Sequence, residues 1–183
     1  MKRVIRQEIL DYVTYEEQRK QIREKIMKIK ELRRINVAGV LSFLFENTDT
    51  VRYQIQEMIR VERIVKETDI LHEMNTYNEL LGDSGQLGCT LLIEIDDPDE
   101  REEKLTQWLE LTKHLYISLE NKSRIRASFD ERQIGDSRLS SVQYIKFNTG
   151  GKTPVAIGSD LPMLKAETAL TDDQKKALSE DLL

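Results

Sequence analysis

The chain of 183 residues, 21.4 kDa, carries 28 Lys and Arg against 33 Asp and Glu, a net charge of −5. That length suits one domain with room for a terminal extension, and 39% hydrophobic residues suffice for a core, which excludes wholesale disorder. One cysteine, Cys89, and two histidines exclude an internal disulfide and leave little for a zinc site.

Charge is uneven along the chain: residues 1–34 hold 11 basic and 6 acidic side chains, so the remainder is strongly acidic. The basic block falls in a helix expected from Thr14 to about Arg34. Tyr15, Ile22, Ile26, Ile29 and Leu32 stack on one face, and eight cations between Arg19 and Arg34 fill most of the rest. From Asn36 to Glu46 the period changes to two, as in a strand covered on both sides, with Val37, Leu41, Phe43 and Phe45 on one face. Asn47-Thr48-Asp49 caps a second helix whose buried stripe is expected at Val51, Ile55, Met58, Val61 and Val65. Thr68 or Asp69 opens a third, with Ile70, Met74, Tyr77 and Leu81 on one side and Gly82 to end it.

Leu87–Ile95 reads as a strand, and Asp97-Pro98-Asp99-Glu100 starts a helix that ends near His114. Leu115–Leu119 and Arg124–Phe129 form strands across a hairpin-length connection, and a polar loop leads to another strand at Ser140–Phe147. This order implies an α+β domain over residues 1–148, two-layered, with helices packed on one side of a mainly antiparallel sheet. Residues 149–183 read as a C-terminal tail, extended over 153–164. It ends in a short helix opened by the capping box Thr171-Asp172-Asp173-Gln174.

Gly151-Lys152-Thr153 after a strand imitates the end of a phosphate-binding loop, but Lys146 stands where the first glycine is needed. The acidic run from Glu94 to Glu100 imitates a divalent-metal site. Asp97 as helix cap, Pro98 at the first helical position and acids in the first turn account for it more fully. His72 on the third helix could join Glu57 and Glu62 in a mixed metal or acid–base site, although no Glu-x-x-His occurs anywhere. Cys89 alternates with core residues and reads as a small buried hydrophobe. The most unusual surface is Arg52, Gln56, Arg60 and Arg63, which line one flank of the second helix and could grip carboxylates or phosphates. Nucleic acid is disfavoured: Glu16, Glu17, Glu24 and Glu31 interleave with the first helix's cations, in i,i+4 pairs such as Glu16–Lys20 and Glu24–Lys28, and the pI is 5.3.

Several longer words resemble one bacterial family. They are Leu44-Phe45-Glu46-Asn47, Tyr53-Gln54-Ile55-Gln56-Glu57-Met58, Glu62-Arg63-Ile64, Asn75-Thr76-Tyr77-Asn78-Glu79-Leu80 and Ser141-Val142-Gln143-Tyr144-Ile145-Lys146-Phe147. The tail words Ala156-Ile157-Gly158-Ser159-Asp160-Leu161-Pro162 and Ala177-Leu178-Ser179-Glu180-Asp181-Leu182 resemble its C-terminus. That family is known only as a domain of unknown function of about this length, with no activity or catalytic residues to carry over. Its members often have histidine where this chain has Leu161, which argues against a ligand role there. The resemblance also implies genes placed beside rubrerythrin-like and iron–sulfur oxidoreductase proteins, and so an accessory role near iron or peroxide chemistry.

These readings converge on a non-catalytic accessory or adaptor protein, using the Arg52/Gln56/Arg60/Arg63 flank or the basic first helix, with a rubrerythrin-like or iron–sulfur protein as partner. The alternatives are a small metal-binding protein or enzyme built on His72, Glu57 and Glu62, and an anion- or nucleotide-binding protein at the arginine flank. No cofactor motif occurs, and no apolar run approaches the roughly 18 residues of a membrane span. The opening MKRVIRQEILDYV lacks the apolar stretch of an export signal, so the expected address is the cytoplasm. Nothing in the residues sets an oligomeric state.

Overall fold

Asp11 opens the first helix by accepting hydrogen bonds from the Val13 and Thr14 amides, both at 3.0 Å, and α1 then runs Tyr12–Glu31. The computed structural model describes residues 1–183. Of the expected apolar face, Tyr15 and Ile26 are buried, Ile22 and Ile29 half-buried, and Leu32 exposed.

The single strand expected over 36–46 is a hairpin, β1 (Arg34–Val37) and β2 (Leu41–Glu46). Ala38 and Gly39 both take left-handed backbone angles, φ 55° and 73°, a conformation that costs alanine energy and glycine little. The loop is three residues long, so side-chain parity survives it: Val37, Leu41, Phe43 and Phe45 all point inward, as a continuous strand would place them.

The remaining elements are α2 (Thr48–Val61), α3 (Glu67–Asn78), β3 (Gln86–Ile93), α4 (Pro98–Gln107), α5 (Leu111–His114), β4 (Leu115–Ser118), β5 (Arg124–Arg126), β6 (Ser128–Phe129), β7 (Val142–Asn148), β8 (Ala156–Leu161), β9 (Leu164–Ala169) and α6 (Asp172–Asp181). All sheet pairing is antiparallel, and the fold is α+β. The strands form two sheets rather than one, ordered β1-β2-β3-β7-β6 and β5-β4-β8-β9. Residues 124–129 link them: β5 pairs in the second sheet, Ala127 donates to the Leu115 carbonyl at 3.0 Å, and β6 pairs in the first. Phe43, Phe45, Leu91 and Phe147 from one sheet and Leu115, Ile117 and Ile157 from the other share a single core, closed by Leu105, Trp108 and Leu111 from α4 to α5 and Leu178 from α6.

The C-terminal segment therefore differs from a tail lying over the surface. β8 is a central strand of the second sheet, and Ile157, Leu161, Leu170 and Leu178 belong to the main core. Its small residues Gly158 and Ser159, on a strand flanked by β4 and β9, hid this from a hydropathy reading. The final helix starts at the Thr171 capping box as expected.

A second core joins α2, α3 and the N-terminal arm through Val4, Ile9, Val51, Ile55, Ile59, Ile70, Met74 and Leu81. The α2 stripe is Val51, Ile55 and Ile59, two steps of four; Val61 and Val65 are 59% and 74% exposed. The arm is held by two amide brackets. Asn78 accepts from and donates to the Val4 backbone (2.9 and 3.0 Å), and Gln56 does the same for Leu10 (2.6 and 3.2 Å).

Candidate functional site

The structure distributes the predicted arginine flank among structural tasks. Gln56 is 4% exposed and occupied by the Leu10 backbone. Arg52 pairs with Asp49 and stands 3.9 Å from Glu8. Arg60 lies between Glu16 (3.6 Å) and Glu57 (3.7 Å). Arg63 has φ 50° and is the left-handed residue that ends α2. The Ile64 amide reaches back to the Ile59 carbonyl at 2.9 Å, as in a Schellman cap. The four side chains do not form one free anion-binding face.

Glu57, Glu62 and His72 do not converge either. Glu57 accepts the Tyr15 hydroxyl at 2.6 Å and both arms of Arg19 at 2.8 Å, fastening α1 to α2. Burial works against its charge, but the Arg19 and Tyr15 hydrogen bonds and the Arg19 and Arg60 charges outweigh it, holding the carboxyl below its ordinary value. Glu62 caps the end of α2 and His72 is exposed on α3. No three His, Cys, Asp or Glu side chains are grouped to hold a metal ion. At the would-be phosphate loop the Gly150, Gly151 and Lys152 amides bond Asn148, Gly85 and Thr149, so they do not face an anion. Asp97 caps α4, accepting from Asp99 and Glu100 at 3.0 and 2.8 Å.

Two other polar clusters emerge. On the second sheet Asp160 receives Arg126 through two bonds (2.9 and 2.6 Å) and His114 through Nδ1 (2.9 Å), while Arg124 covers the ring of buried Tyr116 at 4.0 Å. The Arg126 and His114 hydrogen bonds hold the Asp160 carboxyl far below the usual carboxylate range, and the cluster's charges are mutually paired.

The other lies on the first helix. Lys20, Arg23, Met27 and Lys30, at steps of three, four and three, share one flank of α1. By the same arithmetic Glu17, Glu24 and Glu31, seven apart, run along the adjoining ridge, Glu17 three residues before Lys20, Glu24 four after it and Glu31 four after Met27. None of them pairs with a cation of the flank. Arg23 donates to the Tyr53 hydroxyl at 3.2 Å, and Lys30 sits 5.3 Å from the centre of the same ring. At the start of β1, Arg34 donates to Ser42 at 3.1 Å and is 3.8 Å from Glu94. The ion pairs of this region are Arg19–Glu57, Arg60–Glu16, Arg60–Glu57 and Arg34–Glu94; Lys20, Arg23 and Lys30 take part in none. Burial lowers the pKa of Lys30; Glu46 opposes this, and the Arg34 and Arg23 charges add to it. Behind the cluster Glu46, 7% exposed, accepts hydroxyls from Thr50 (2.5 Å) and Thr90 (2.7 Å). The expected intrahelical pairs Glu16–Lys20 and Glu24–Lys28 are not formed; Glu16 turns to Arg60. The spacing of Lys20, Arg23 and Lys30 was visible in the sequence, but Tyr53 beneath Arg23 and Lys30 required the second helix to be in place.

Comparison with known proteins gives a family and a matching fold. The family described as protein of unknown function (DUF3501) matches residues 3–182. The chain belongs to that family. A crystal structure of a novel protein of unknown function from Burkholderia pseudomallei K96243, at 1.90 Å resolution, shares 25% identity with a TM-score of 0.91, covering 100% of both chains. No curated protein matches this chain. No helix is long and apolar enough to cross a membrane.

Proposed function

We propose that this member of DUF3501 is a non-catalytic cytoplasmic accessory protein that docks an acidic protein partner on the Lys20–Arg23–Met27–Lys30 flank of α1. One observation carries the reading: these cations stand together without carboxylate partners, whereas Arg52 and Arg60 of the neighbouring helix are engaged. Gathering like charges costs free energy that an incoming carboxylate relieves, and such a patch speeds encounter with an acidic surface. Met27, 38% exposed among the cations, supplies an apolar contact at the centre of the flank. The family resemblance supports a rubrerythrin-like or iron–sulfur protein as the partner.

The test is calorimetric titration of this protein with a purified rubrerythrin-like protein from its own host, at two salt concentrations. Binding is expected to weaken steeply with salt, because exposed charges more than about 10 Å apart are screened at 0.1 M. The Lys20→Glu/Arg23→Glu variant should lose at least tenfold in affinity while keeping its unfolding midpoint. Binding that ignores both salt and charge reversal, or no binding at low salt, overturns the proposal.

A further inference from the structure

Away from α1, a cleft of about 900 Å3 opens between the C-terminal turn of α3, the β6 end and the outer face of β7. Its apolar walls come from Tyr77, Phe129 and Tyr144, and its cations are Arg3, Arg132 and Lys146. We infer that this cleft binds a small aromatic molecule bearing a single negative charge.

Three features of the cleft lead there. First, its frame is fixed without a ligand. A Cβ on Gly88, which pairs with Lys146 in the sheet, would lie 1.8 Å from the Leu80 carbonyl oxygen, so the chain leaving α3 presses directly on β3. Across the cleft Gln133 brackets the Tyr144 backbone, accepting from its amide at 2.8 Å and donating to its carbonyl at 3.0 Å. A preformed concave site whose aromatic walls are joined by polar and charged groups that fix orientation is a common form of small-molecule pocket.

Second, Tyr144 is 48% exposed although it stands on a strand flanked by β3 and β6. A large ring left open on a sheet face beside Tyr77 and Phe129 offers a stacking surface.

Third, the charges are unequal. Arg132 is held by Asp130 at 2.5 Å, and Arg3 reaches Asp83 only at 3.7 Å with both side chains largely exposed. Lys146, half-buried, joins no ion pair. Glu79, just past the end of α3, adds a carboxylate to the lining within reach of Arg132. Three cations, Arg3, Arg132 and Lys146, against two acids, Glu79 and Asp130, leave the cleft an excess of one positive charge, which suits a monoanion better than a polyphosphate. Carboxylate or sulfonate on a flat ring is the chemistry that fits.

Fluorescence titration with 8-anilinonaphthalene-1-sulfonate tests this, with uncharged N-phenyl-1-naphthylamine as its partner probe. The folded protein should bind one sulfonate probe saturably. Lys146→Gln should weaken the sulfonate about tenfold and leave the uncharged probe unchanged, and Tyr144→Ala should weaken both. Lys20→Gln on α1 should affect neither, which separates this site from the docking flank. Thermal unfolding of each variant confirms that it is folded. A sulfonate probe that fails to saturate, or that binds Lys146→Gln as well as the parent, overturns the inference.

Discussion

Replacing Asp181 by alanine is expected to be among the most destabilising single changes in this protein. Arg33, just beyond α1, points inward and meets Asp181 of α6 through Nε at 2.7 Å and Nη2 at 2.9 Å. The side chains are only 8% and 7% exposed. Arg33 also donates to the Ile29 carbonyl at 3.2 Å, and Asn47 approaches Asp181 at 3.4 Å, so the pair ties the last helix to the end of α1 and the start of α2. Removing one partner of such a pair leaves an uncompensated buried charge, which costs about 3–5 kcal/mol. Total stability of a domain is about 5–15 kcal/mol, so the loss is a large fraction of it. With a urea slope of about 2–3 kcal/mol/M, the unfolding midpoint should fall by about 1–2.5 M. The double variant Arg33→Met/Asp181→Leu should recover to within about 1–2 kcal/mol of the parent, since apolar replacement of both partners is often near neutral. Urea unfolding followed by circular dichroism measures both. A loss below about 1 kcal/mol for Asp181→Ala, or a double variant weaker than the single, would refute this account of how the C-terminal helix is held.

Glu57→Gln removes the anion that Tyr15 and Arg19 share, and should cost about 2–3 kcal/mol at pH 7, as for a hydrogen-bonded charged group. Its folded pKa is depressed, so the stabilisation is present above the unfolded value of about 4.3 and lost as pH falls through the folded value beneath it. The variant should therefore show a shallower decline in stability below about pH 4, read from unfolding midpoints across a pH series. Arg63→Gly should be neutral or stabilising by about 0.5–1 kcal/mol, because glycine occupies the left-handed cap at φ 50° without strain. A clear loss of melting temperature in that variant would mean that the Arg63 side chain contributes more than its backbone costs.

Local signals were legible in the residues where the relevant physics spans one helix end, whereas the β1–β2 hairpin, whose three-residue loop keeps side-chain parity, looks like one continuous strand. The Asp97-Pro98 start of α4 and the Thr171 box of α6 stand where their cap chemistry puts them, since an N-cap needs only its own helix's free amides. The α+β class and antiparallel pairing followed from the short connections between strands. Division into two sheets was not legible, because it turns on the single residue Ala127, where a segment of unbroken alternation leaves one sheet and enters the other. The α2 stripe went astray at one step: Met58 and Ile59 are both apolar, and three or four residues beyond Ile55 are equally good helical spacings. Contact with α3 and the N-terminal arm decides for Ile59.

The arginine flank shows the deeper limit. Arg52, Gln56 and Arg60 recur at intervals of four because that face of α2 lies against other parts of the same chain. Glu8 and Leu10 of the arm and Glu16 of α1 take up its polar groups. A regular polar stripe on a helix records the need for polar partners, and the same spacing arises whether the partner is another molecule or a later fold of the chain. What separates the two cases is the count of opposite charges that tertiary structure brings within reach. On α2 that count is met. On the Lys20–Arg23–Lys30 flank the count falls short, which makes α1, of the two basic surfaces seen in the sequence, the one left facing outward.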